Sequence, residues 1–304
     1  MSETIHRPGG EWVLAGKTVA RIGFGAMQLG ERPGREPLDT DSAVALLHRA
    51  IELGINHFDT AQFYGHGTSN DLLRRAFAPY GDDIVIVSKV GASRVDAPIP
   101  LVAAQKPAEL RASVEQNLAS LGADRIDVVN LRRADFRPGI LAEGDQIVDL
   151  DDQLAEMIAL RDEGKIGGIG LSHVRIDQVQ QALPAGIECV QNSYSVVNRS
   201  DEDLLDLCLR EGIAWAPYFP LGSAFPQFPK VTDEPAVIAA SRALDATPTQ
   251  VGLAWLLRHA PNILLISGTS SLDHLAENVA TGSIQLDPAT ASTLDALAAI
   301  DGAS

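Results

Sequence analysis

A carboxylate, a phenol and an ammonium stand at the ends of two short apolar runs. His57-Phe58-Asp59 ends in an acid, and Tyr64 follows in Thr60-Ala61-Gln62-Phe63-Tyr64-Gly65. Val85-Ile86-Val87-Ser88-Lys89 ends in a lysine. A phenol with an ordinary pKa of about 10 is a poor acid at neutral pH. A nearby ammonium stabilises the phenolate and lowers that value, while a carboxylate keeps the ammonium charged and oriented. Asp59, Tyr64 and Lys89 could therefore form a tuned general acid, protonating a carbonyl oxygen while hydride reaches the carbon. Alternatively, Lys89 and Asp59 brace adjacent strands and Tyr64 is a loop residue. Their order and strand-end positions favour chemistry. His66 reads as a solvated loop residue within reach of a substrate.

The elements that must position these groups alternate in type. Eight short, nearly all-apolar runs read as strands buried on both faces. They are Ile22–Phe24, Ile55–Asp59, Ile84–Ser88, Ile126–Leu131, Gly168–Leu171, Cys189–Gln191, Ala214–Pro217 and Leu264–Ser267. Between them apolar residues recur at helix spacing: Val44, Leu47 and Ile51 before Gly54; Leu110, Val114, Leu118 and Leu121 before Gly122; Leu154 and Ile158 before Gly164. Each glycine falls where a helix end favours a left-handed residue. Eight strands alternating with helices predict a parallel sheet closed into a (β/α)8 TIM barrel, with chemistry at the C-terminal strand ends. That rule selects Asp59, Lys89, Arg132, Ser172 and Gln191. Glu11–Arg21, with a turn at Gly16-Lys17, predicts a β-hairpin ahead of the barrel. Pro220–Pro235 reads as a long loop over one mouth, and Ile284–Ile300 as an extra C-terminal helix.

No linker or repeat interrupts the 304 residues, so one domain over 1–304 is expected. The net charge of −16 argues against nucleic acid and anionic membrane as partners. A phosphate-bearing cofactor would need local backbone N–H groups and a few basic side chains. Cys189 and Cys208 read as reduced, buried thiols. The N-terminus carries no apolar signal segment and no run reaches 18 apolar residues. These features predict a cytoplasmic protein, monomeric or a small homo-oligomer.

Gly23-Phe24-Gly25-Ala26-Met27-Gln28-Leu29-Gly30 resembles the first strand of the aldo-keto reductase superfamily. Phe58-Asp59-Thr60-Ala61-Gln62-Phe63-Tyr64-Gly65 resembles its "FDTAxxYG" signature. Ile166-Gly167-Gly168-Ile169-Gly170-Leu171-Ser172 after Gly164-Lys165 resembles its "GKxRxxGxS" stretch, and Gln191-Asn192-Ser193-Tyr194 its "xQxxYS" stretch. Pro220-Leu221-Gly222, Gly268-Thr269-Ser270 and Glu277-Asn278 complete a set running in order over about residues 10–300. The resemblance implies a nicotinamide-dependent oxidoreductase acting on a small-molecule carbonyl, with NADPH preferred and NADH possible. Asp59, Tyr64 and Lys89 would be three members of its catalytic tetrad. Ser172, His173 (often Asn in the family) and Gln191 would hold the nicotinamide carboxamide. Tyr218 would stack on the ring. Gly25, Met27, Leu221 and Ser223 would border the cofactor's path. Gly268, Thr269, Ser270, His274 and Asn278 would surround its adenosine end, where a helix start near Ser271 offers free N–H groups to a phosphate.

The chain departs from the family pattern in two places. The tetrad histidine is replaced by Arg132 in Val128-Val129-Asn130-Leu131-Arg132-Arg133. A guanidinium only donates hydrogen bonds and stays charged. It could polarise a carbonyl or bind an anionic or hydroxylated substrate, and it should push the Tyr64 pKa further down. It could instead be salt-bridged to Asp135 with catalysis lost, leaving a nucleotide-binding regulatory or accessory barrel. An Arg here resembles bacterial members that reduce pyridoxal, whose aldehyde sits beside a phenolic oxygen. The Lys and Arg that many relatives use for the 2′-phosphate stand here as Gly268 and His274. Gly23-Phe24-Gly25 is no Rossmann fingerprint, because Gln28 occupies the third glycine's place. No His, Asp and Glu cluster has metal-ligand spacing. Specificity would lie in the loops Phe219–Thr232 and Asp135–Leu150.

Overall fold

The computed structural model describes residues 6–30, 38–95, 101–222 and 229–297. The chain opens with a hairpin of β1 (Glu11–Leu14) and β2 (Lys17–Ala20) in antiparallel register, Leu14 opposite Lys17. The turn is Ala15-Gly16, one residue earlier than expected. Both residues have positive φ, +50° and +76°, as a two-residue turn matching strand twist requires.

β3 (Phe24–Gly25), β4 (His57–Asp59), β5 (Val85–Val90), β8 (Ile126–Arg132), β9 (Ile166–Ser172), β10 (Ile187–Gln191) and β11 (Ala214–Trp215) form one parallel sheet, in the order β11-β10-β9-β8-β5-β4-β3. Between β5 and β8 lies a second hairpin, β6 (Ala92–Arg94) and β7 (Leu101–Ala103), at the C-terminal mouth. The eighth expected strand, Leu264–Ser267, is not a ladder. Ile263 bridges Trp215 on one side and Leu265 bridges Ile22 on the other. The segment gives single residues to each neighbour, and four backbone bonds close the seam. Asn262 O accepts from Trp215 N, Trp215 O from Leu264 N, Arg21 O from Leu265 N and Leu265 O from Gly23 N, all at 2.8–2.9 Å. The architecture is thus a (β/α)8 barrel.

Helices α1 (Thr40–Glu52), α2 (Thr68–Phe77), α3 (Pro107–Leu121), α4 (Leu150–Asp162), α5 (Ile176–Ala182), α6 (Glu202–Arg210), α7 (Pro235–Ala243), α8 (Pro248–His259), α9 (Leu272–Ala280) and α10 (Pro288–Asp295) accompany the strands. Gly54, Gly122 and Gly164 do follow or cap α1, α3 and α4 with positive φ. The expected terminal helix is shorter than Ile284–Ile300: Asp287 caps it by accepting from Ala289 and Thr290, and Pro288 opens it. Residues 298–300 of that expectation lie outside the described residues. The barrel packs Ile22, Phe24, Phe58, Ile86, Val129, Ile169, Val190 and Trp215 into one continuous core with the inner faces of the helices. Cys189 and Cys208 are both buried and unbridged. Among the described residues no helix is long and apolar enough to cross a membrane.

Candidate active site

Register places the polar strand ends side by side. Asp59 pairs with Gly25 and Val87, Lys89 with Asn130, Arg132 with Ser172, and Ser172 with Gln191. Asp59, Lys89, Ser172 and Gln191 are all buried at one end of the closed sheet. Lys89 Nζ donates to Asp59 Oδ1 at 2.5 Å and to Thr60 O at 3.2 Å. Gln191 Nε2 reaches from β10 and donates to Asp59 Oδ2 at 2.9 Å. The carboxylate is thus held at both oxygens, a connection the sequence pattern did not suggest. Burial acts to lower the Lys89 ammonium, but the adjacent Asp59 and then Tyr64 more than reverse this, so its pKa rises above the ordinary value. Lys89 therefore stays charged.

Tyr64 sits in a tight turn, Tyr64–Gly67, where Gly65 and His66 both adopt left-handed backbone. Lys89 Nζ lies 5.2 Å from the centre of the Tyr64 ring. The expectation of a phenol below its ordinary pKa is corrected here. Burial at the mouth is the largest influence and raises it; the Lys89 and Arg132 charges lower it without overcoming the burial. The phenol therefore stays protonated at neutral pH. Phe63, Ala61 and Ala92 form an apolar wall against Tyr64, with Leu101 and Ile140 behind. His66 is exposed.

A polar network behind β4 fixes this turn. The two N–H groups of Asn70 Nδ2 are shared among Gln62 Oε1 (2.9 Å), Asn117 Oδ1 (3.0 Å) and Ser120 Oγ (2.9 Å), while Thr60 Oγ1 donates to Asn70 Oδ1 at 2.7 Å. These side chains scatter along the sequence on different elements, so no spacing rule could have found them.

Arg132 is not the partner of Asp135; its neighbour Arg133 is, at 2.8 Å through Nε. Among the described residues Arg132 Nε has no hydrogen-bond partner although it is buried. Its charge acts on Tyr64, His173 and Tyr218, so it stands over the same mouth. A methyl group on Gly139 would come within 3.5 Å of both Arg132 Nη2 and His173 Nε2, which shows how closely the loop after β8 covers them.

The three residues assigned to a carboxamide differ. Ser172 Oγ is buried and has no partner among the described residues, so it is an open polar group at a strand end. Gln191 gives one of its two amide N–H groups to Asp59, leaving the other and its oxygen. His173 has both nitrogens engaged within the protein. Nε2 meets Phe136 O at 2.9 Å and Nδ1 meets Tyr218 Oη at 3.0 Å.

Gly25 and Gly268 face each other closely, since a methyl on Gly268 would fall 2.3 Å from Gly25 O. Met27 is exposed on the turn after β3. Tyr218 stands at the mouth beyond β11, and Leu221 packs against the core. Ser223 lies outside the described residues. Ser271 caps α9 by accepting from His274 N at 3.4 Å, and Thr269 Oγ1 accepts from Ser271 N at 3.0 Å. Thr269 and Asn278 are buried, Ser270 is half-buried and His274 is exposed. The helix start expected near Ser271 is therefore present, and these residues gather around it. No lysine or arginine lies in the segment from Gly268 to Asn278.

Residues 21–299 match the model of the aldo/keto reductase family. Pyridoxine 4-dehydrogenase of Escherichia coli (strain K12) is 43% identical over 290 residues, covering 94% of this chain and 97% of that protein. An uncharacterized oxidoreductase of Schizosaccharomyces pombe is 37% identical over 283 residues, covering 91% and 86%. The crystal structure of an aldo-keto reductase from Klebsiella pneumoniae in complex with NADPH superposes with a TM-score of 0.76 at 25% identity, covering 95% of each chain. With its barrel, its strand-end polar groups and a match over nearly its whole length, this chain belongs to the aldo/keto reductase family.

Proposed function

We propose that this protein reduces a small aldehyde or ketone to the alcohol with NADPH, with NADH also accepted, and that pyridoxal-like aldehydes are among its substrates. The observation that carries the reading is the Lys89–Asp59–Gln191 clamp beneath a protonated phenol. A bound nicotinamide cofactor would supply hydride to the carbonyl carbon. Tyr64 donates its proton to the carbonyl oxygen as charge develops there. Lys89, held charged by Asp59, stabilises the phenolate left behind, and Arg132 adds a second positive charge. Tyr64 is only half-buried, so it regains its proton from solvent.

The residues present fit such a cofactor. The unpartnered Ser172 hydroxyl and the free oxygen of Gln191 would hold its carboxamide, and Tyr218 would face its ring. Thr269, Ser270, His274 and Asn278 would meet the adenosine end, with the N–H groups of α9 for a phosphate. With no Lys or Arg in that segment, the preference for NADPH over NADH is modest. Arg132 takes the phenolic or anionic oxygen of the substrate. Its buried, unpartnered Nε and fixed charge suit an acceptor beside the reacting aldehyde. The relative named as a pyridoxine 4-dehydrogenase and the neighbour crystallised with NADPH support both choices.

A carbonyl panel with NADPH and NADH side by side tests this, pairing pyridoxal with pyridine-4-carboxaldehyde, which lacks the phenol. Oxidation of NADPH, fastest with pyridoxal, is expected. Cofactor binding seen by fluorescence quenching, without turnover of any carbonyl, would instead indicate an accessory nucleotide-binding barrel.

A further inference from the structure

His173 adopts a left-handed backbone. Its φ is +57°, a left-handed value that few residues other than glycine, Asn, Asp and His adopt readily. That turn aims the imidazole back over the mouth and packs it face to face on Phe136, with ring centres 4.1 Å apart and planes 21° apart. The guanidinium of Arg175 lies 4.5 Å from the centre of the Phe136 ring. The imidazole is therefore fixed by stacking as well as by hydrogen bonds.

Its protonation state follows from its partners. Phe136 O can only accept, so Nε2 carries the hydrogen. Burial lowers the imidazole's pKa, and the Arg132 charge adds to this, so the ring is neutral and Nδ1 is an acceptor. The group 3.0 Å from Nδ1 is the Tyr218 hydroxyl. That phenol is pushed up to about 12 by burial, so it holds its proton and donates it to Nδ1. Tyr218 is gripped from other directions too. Its N–H donates to Asn192 O at 3.0 Å, and Phe219, itself at φ +55°, sets its ring edge-on to Tyr218 at 5.2 Å.

We infer that His173 is a positioning residue that locks the Tyr218 ring in the orientation that receives the nicotinamide, in place of contacting the cofactor itself. The inference rests on the proposed placing of Tyr218 against the nicotinamide ring. A ring held at its backbone and its hydroxyl loses no freedom when a cofactor stacks on it, so affinity is gained through preorganisation.

NADPH affinity, read by fluorescence titration, tests the lock, together with kcat and KM on the best carbonyl of the panel. Tyr218→Phe removes only the hydroxyl and should weaken NADPH binding about three- to ten-fold, the worth of one hydrogen bond. His173→Leu should do the same, and the double variant should be no weaker than either single one, because both remove a single contact. His173→Asn keeps a side-chain oxygen near the place of Nδ1 and tolerates the left-handed backbone, so it should recover at least half of the loss. KM for NADPH should rise more than kcat falls; a purely structural role would lower the melting temperature without this coupling. If His173→Leu does not fold, Tyr218→Phe and His173→Asn decide. Unchanged affinity in Tyr218→Phe, or losses that multiply in the double variant, would overturn the lock while Tyr218→Ala still weakens binding. Unchanged affinity in Tyr218→Ala itself would overturn the placing of Tyr218 and the lock with it.

Discussion

At Tyr64 two effects of opposite sign meet. Burial raises the phenol's pKa, and the charges of Lys89 and Arg132 lower it by less. A phenol held above its ordinary value keeps its proton through neutral pH, which a proton donor needs. The positive charges matter at the next moment, when the phenolate forms. Arg132 cannot replace a histidine as a proton carrier, so its distinct contribution is to bind an oxygen. Arg132→Leu should therefore cut kcat/KM for pyridoxal about 10- to 100-fold, the worth of a charge-assisted hydrogen bond, and that for pyridine-4-carboxaldehyde much less. Equal losses on the two aldehydes would contradict this role. The strand-end places of Asp59, Lys89 and Arg132 were legible from the apolar runs that precede them, while Tyr64 stood in the following loop and the role of Arg132 came from the resemblance. That Arg133 and not Arg132 takes Asp135 was not legible, since adjacent residues on a strand point to opposite faces and the pattern does not say which face is which.

β4 shows how an element can carry a cost for what it positions. It begins with His57, fully buried beneath Gly23, where a methyl group would lie 2.1 Å from the imidazole. Nδ1 donates to Ala20 O at 3.1 Å, and burial lowers its pKa from 6.5 to about 4. A group whose folded pKa is depressed binds fewer protons folded than unfolded between those values. Its stabilising contribution is thus complete above pH 6.5 and is lost as pH falls toward 4. The loss amounts to about 2–3 kcal/mol at 1.36 kcal/mol per unit. Urea melts at pH 7.5 and 4.5 should show this difference in the native chain, and His57→Gln should shrink it by about that amount. An unchanged difference would rule out a neutral buried His57. The strands themselves were readable from their apolar runs, but their ends were not. β3 spans only Phe24–Gly25, and the segment ending at Ser267 splits its pairing between two neighbours instead of forming one ladder.

Over the whole molecule, the seam between the first and last strands is closed by isolated bridges instead of ladders. Arg21 staples it. Its guanidinium donates to Leu257 O (2.8 Å), Ala260 O (2.6 Å) and Ile263 O (3.1 Å), binding the end of α8 to the start of the barrel. A cation at a helix C-terminus also meets the negative end of that helix's dipole. Barrel topology was legible from eight alternating runs, because parallel strands need crossovers and eight of them close. The partners that fix the site were less so: Asp59 and Gln191 are 132 residues apart, and only closure brings them together. The direct pairing of β4 with β5 sets Tyr64, Lys89 and Asp59 at one rim, and their joint action as a proton donor is the central claim. Stopped-flow reduction of pyridoxal by NADPH with Tyr64→Phe tests it most directly. Turnover should fall at least about 100-fold, the lower end for general acid catalysis, while NADPH still quenches the protein's fluorescence. A Tyr64→Phe enzyme that reduces the aldehyde at the native rate would contradict it.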